Sequence, residues 1–93
     1  MDFNALVQRY LGEPGVVEGQ MFGMPVLKVG GKVFAGDWHG ELVVKLARER
    51  VEQLIAGGTG APFAPMAGRT MKEWVLVQDD GLAQEALDFV RGA

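Results

Sequence analysis

The chain has no cysteine, a single histidine, a single tyrosine and only four prolines. Without cysteine there are no disulfides, no thiolate nucleophile and no Cys-based zinc site. A lone imidazole leaves a histidine metal centre short of ligands, because no carboxylate spacing supplies the rest. No apolar run approaches the ~18 residues that a membrane helix needs. Positive charge is scarce too: 9 Lys and Arg stand against 12 Asp and Glu, for a net charge of −3. A domain that lived on phosphate backbones would be basic, so free nucleic acid is not the expected partner. Asp2 lies where a signal peptide would be basic, and no apolar core of signal-peptide length follows. With the missing disulfides, these features predict a cytoplasmic protein.

What is present fits one small folded domain over residues 1–93. Hydrophobic residues make up 48% and charged residues 23%, too apolar for disorder. A chain of this length buries only ~60–65% of the surface that it exposes unfolded. Its stability should be on the order of 5–14 kcal/mol.

Phe3, Leu6, Val7, Tyr10 and Leu11 recur at the helical period, with Asp2 placed to cap and Gly12 to Gly15 placed to stop the helix. From Val16 the period changes to 2. Val17, Gly19 and Met21 suggest a strand, Val26 to Val29 a second, and Lys32 to Ala35 its return across the Gly30-Gly31 corner. Gly36 to Gly40 reads as another turn, before the β-branched run Glu41 to Leu46. Loops this short allow only antiparallel neighbours. Ala47 to Ala56 reads as a second helix with Leu46, Val51, Leu54 and Ile55 inward. Lys72 to Val77 reads as a strand, preceded by a Pro/Gly-rich loop that has room for a short edge strand near Phe63. Asp79-Asp80-Gly81 opens a third helix whose stripe is Leu82, Ala86, Phe89 and Val90. The expected fold class is α+β, a two-layer sandwich with helices on one face of an antiparallel sheet of about five strands. Its order is α-β-β-β-α-β-β-α. The other sheet face should be solvated and charged, or covered by a partner chain.

The candidate sites are few. The glycines between 19 and 40 match neither phosphate-binding spacing and lead into strands, so they are read as corners. His39, with Asp37 and Glu41 nearby, is the only general-base candidate, and it falls on a turn tip where geometry is loose. The cations Lys28, Lys45, Arg69 and Lys72 can share the open sheet face with Trp74. There Lys45, Arg69, Lys72 and Trp74 would suit a small anionic ligand or an acidic partner surface. The plainer reading is a charged, solvated face. No catalytic set, metal site or cofactor is expected.

Met21-Phe22-Gly23, Gly31-Lys32-Val33-Phe34-Ala35, Leu42 to Leu46, Pro62-Phe63, Gly68-Arg69 and Trp74-Val75 follow one another in an order and spacing that resembles the N-terminal domain of the TfoX/Sxy family. More distantly, they resemble proteins of the MmcQ/YjbR type. The resemblance spans about residues 5 to 80. It implies a secretion-chaperone-like α+β fold and a stand-alone bacterial member, with no catalytic residues to carry over. Full-length TfoX/Sxy proteins regulate bacterial competence, so a regulatory role is what the likeness implies. The expectation is a small non-enzymatic domain that works by protein contact, with a homodimer as one form. The alternative is a binder of, or an enzyme acting on, a small anion at the open sheet face.

Overall fold

The computed structural model describes residues 1–66 and 68–92. Helix α1 (Phe3–Tyr10) forms on the expected stripe, and the Asp2 carboxylate accepts from the Ala5 N–H at 3.2 Å. Leu11 is the C-cap rather than part of the stripe, and it is exposed.

A four-strand meander follows: β1 (Val16–Met21), β2 (Met24–Val29), β3 (Lys32–Trp38) and β4 (Glu41–Lys45). Its three corners are Phe22-Gly23, Gly30-Gly31 and His39-Gly40, each of two residues with positive φ at both. That is the backbone which matches strand twist in a tight hairpin. The turn expected over residues 36–40 is therefore smaller than its glycines suggest. Gly36, Asp37 and Trp38 are strand, and Asp37 Oδ1 accepts from the Gly40 N–H at 2.9 Å to close the corner. Between β2 and β3 the register slips, with Leu27 opposite Ala35 but Lys28 opposite Val33. The extra residue, Phe34, turns under α1, where its ring meets Tyr10 edge-on at 5.9 Å.

Helix α2 (Arg48–Ala56), strand β5 (Gly60–Pro62), strand β6 (Trp74–Val77) and helix α3 (Leu82–Arg91) complete the chain. The six strands lie in the order β1-β2-β3-β4-β6-β5, every pair antiparallel. The architecture is thus the expected α+β sandwich, with one strand more than anticipated. Gly60 lets β5 approach α2 closely, for a Cβ there would lie 2.7 Å from Val75 Cγ2 and 3.1 Å from Leu54 Cβ. Gly60→Ala should therefore lower stability by about 1–3 kcal/mol in a urea melt; an unchanged midpoint would show that the edge strand shifts freely.

All three helices share one face of the sheet. Leu6, Val7, Tyr10, Leu54, Ala83 and Leu87 meet Leu27, Leu42, Val44 and Val75 in a single core. On α3 the inward residues are Leu82, Ala83, Ala86 and Leu87, whereas Phe89, expected inside, is 40% exposed. The opposite sheet face is not the solvated, charged surface that the strand charges suggested. Met24, Val26, Val43 and Trp74 form a second buried cluster there around Phe63, which is 0% exposed. The chain covers this face with its own loop, pinned where the Met71 N–H donates to the Phe63 carbonyl at 2.8 Å. No helix among the described residues is long and apolar enough to cross a membrane.

Candidate functional site

Antiparallel pairing of β4 with β6 sets Lys45 opposite Trp74, on the sheet face away from the helices. Lys45 Nζ sits 5.4 Å from the Trp74 ring centroid and 3.6 Å from Glu73 Oε1. The Leu46 N–H donates to the Glu73 carbonyl at 3.1 Å, which holds that acid beside the lysine. Lys45 thus already has a ring and a carboxylate of its own. Lys72 is exposed and lines a different hollow, between α2 and the loop. Arg69 stands on the loop itself, where its N–H closes a turn onto the Met66 carbonyl at 3.1 Å, and it does not line that hollow. Of the four residues singled out in the sequence, Lys45 and Trp74 are in contact. Lys72 and Trp74 share a groove, and Arg69 stands outside it.

At the other end of the strands, the residue pattern placed His39 on a turn tip but did not announce the backbone conformation that it shares with Phe22. Both are non-glycine residues with positive φ, 53° and 52°. For an aromatic side chain this conformation costs roughly 1–2 kcal/mol. Their corners flank a hollow of about 300 Å³ with Pro25, Asp37 and Trp38. The Phe22 ring is exposed but lies 6.5 Å from Phe63, and His39 meets Trp38 edge-on at 4.4 Å. The available signal was the X-Gly pair bracketed by alternating strands, a hairpin spacing that Gly36 obscured. Asp37 is committed to its own corner, so it does not orient His39 as a base would need. His39→Asn should stabilise by about 0.5 kcal/mol, because Asn tolerates this corner better. A thermal melt showing a clear loss would mean that the contact with Trp38 outweighs the strain.

The two edges of the sheet differ. β5 is three residues long and ends in Pro62, which blunts it. β1 is six residues long, without proline, and Val17 on it is 53% exposed. Gly19 leaves a notch in β1 over which Lys28 lies, its Cε 2.8 Å and its Nζ 3.3 Å from where a Cβ would stand. Among the described residues Lys28 makes no ion pair. The result is an open strand edge with a half-buried lysine laid over its glycine.

Residues 11–90 match the YjbR family. The chain belongs to the YjbR family. The match takes in the whole sheet, α2 and most of α3. It bears out the MmcQ/YjbR-type part of the resemblance and does not extend to the TfoX/Sxy part. No curated protein matches the chain.

In this YjbR-family domain the perturbed ionisable groups are structural. Arg50 donates to Glu85 from Nε at 2.8 Å and from Nη2 at 3.1 Å, a fork that ties α2 to α3; the carboxylate holds the guanidinium above its ordinary pKa. The Tyr10 hydroxyl is buried in the helix-side core without a partner among the described residues, and desolvation raises it above the usual 10.0. Stability from this group is complete below pH 10.0 and falls as pH rises from there through the folded-state value, because the unfolded phenol ionises first. Tyr10→Phe should leave stability unchanged or raise it by up to about 1 kcal/mol, and should flatten the alkaline decline. Destabilisation in a pH series of melts would mean that the hydroxyl has a partner in solution. Among the described residues no three His, Asp or Glu side chains are grouped to hold a metal.

Proposed function

We propose that this YjbR-family domain is a non-enzymatic interaction module that takes an extended, acidic segment of a partner protein as an added strand on β1. Such a contact suits a regulatory role of the kind that the TfoX-like resemblance implies. The supporting observation is the open β1 edge with Lys28 laid over Gly19. Main-chain groups on that edge offer affinity to any extended peptide, and the lysine selects among them by charge.

The same lysine decides between a partner and a second copy. Antiparallel pairing of two β1 strands about a two-fold axis at Gly19 would avoid opposing the Glu18 side chains, but it would bring both Lys28 ammoniums to one face beside the axis. Like charges there oppose the dimer, whereas an acidic side chain on a foreign strand turns the repulsion into attraction. The domain alone should therefore be monomeric.

Amide shifts titrated with a short peptide of alternating Val and Glu test this reading, with a Val/Lys peptide as the control. The acidic peptide should move the β1 resonances, more weakly at high salt, and the basic one should not. Equal responses, or none in β1, would refute it. Light scattering that showed a dimer without peptide would assign the edge to a second copy instead.

A further inference from the structure

We propose that the groove between α2 and the loop before β6 binds a small carboxylate with a compact apolar body, such as an aryl-alkanoate. This site lies by the β5–β6 side of the sheet, at the opposite edge from β1, so it does not rest on the reading above. The groove has a volume of about 180 Å³, room for one ring and a short tail. Val51, Ile55, Pro62, Met71 and Trp74 give it an apolar lining.

Its walls are fixed before any ligand arrives. The Met71 N–H donates to Phe63, and the Trp74 N–H donates to Met71 at 3.1 Å. Lys45 stacks on the Trp74 indole and holds that ring in place. A preformed apolar slot loses little entropy on binding.

The mouth supplies the charge. Lys72 is exposed and makes no ion pair among the described residues. Arg48 pairs only with Glu52 one turn along its own helix, at 3.3 Å, with both side chains more than half exposed. Such a pair is weak and can be exchanged for a ligand carboxylate. The rim thus carries two cations and one acid, in a protein whose net charge is −3. Another hollow, at the far end of β5 and β6, carries Glu41 and Asp79 without a cation on its lining, and would repel an anion. A free acid is favoured over the carboxyl end of a peptide because the slot has room for one side chain and little backbone.

The test is a nitrogen–proton NMR titration of the full chain with 3-phenylpropanoate, 3-phenylpropanamide and the peptide Gly-Gly-Phe. The acid should cause saturable shifts at the Trp74 indole N–H and at amides within 48–55 and 70–74. The amide should bind about tenfold more weakly. Lys72→Gln and Arg48→Gln, both at exposed positions, should each weaken the acid about three- to fivefold while leaving the melting temperature unchanged. Equal affinity for acid and amide, shifts confined to other regions, or no saturation would overturn the assignment. Tighter binding of Gly-Gly-Phe than of the free acid would overturn the choice of a small molecule.

Discussion

Phe63→Ala should destabilise the domain by about 3–5 kcal/mol, the largest effect expected of any single truncation outside the helix-side core. The residue comes from a loop, yet it has no exposed surface. Its ring packs edge-on to Trp38 at 5.3 Å and tilts against Trp74 at 6.4 Å, so it is the keystone of the second cluster. Removing it leaves a cavity that the sheet cannot close, because Val26 and Val43 are held in register by their neighbours. It also frees the loop pinned by the Met71–Phe63 hydrogen bond. Against a total on the order of 5–14 kcal/mol, the variant should be partly unfolded at body temperature. A urea midpoint near that of the parent would mean that this face of the sheet is solvated after all.

The second large effect is a contrast along one helix. Leu87→Ala should cost about 2–5 kcal/mol, because Leu87 is fully buried against the sheet. Phe89→Ala, two residues on, should cost well under 1 kcal/mol, since its side chain is largely in water. Paired melts check the rotation of α3 directly, and comparable losses at the two positions would show the helix turned from the face described.

That contrast marks where the sequence was legible and where it was not. The α1 stripe, the Asp2 cap and the Gly30-Gly31 corner are local features, and local chemistry is enough to read them. On α3, Leu82, Ala86, Phe89 and Val90 fit a helical stripe as well as Ala83, Ala86, Leu87 and Val90 do. Only the position of the sheet beneath decides between them. The open face failed for a related reason. Glu41, Val43 and Lys45 share a parity on β4 and look polar in isolation. What surrounds Val43 comes from elsewhere: Gly36 on β3, Leu76 on β6 and Phe63 from the loop. Parity within one strand carries no information about such neighbours. Lys45 and Trp74 were grouped by strand parity on one face together with Arg69 and Lys72, but which of these touch depends on a pairing that spans α2 and the loop. The Gly19 notch with Lys28 across it is likewise a cross-strand fact.

Exchanging the charge at the edge tests the account most directly. Binding of the Val/Glu and Val/Lys peptides is measured by isothermal calorimetry to the parent and to Lys28→Glu. The parent should prefer the acidic peptide and the variant the basic one, with melting temperatures alike. The same preference in both proteins, or no binding to either, would contradict the assignment of Lys28 and β1 as the working surface.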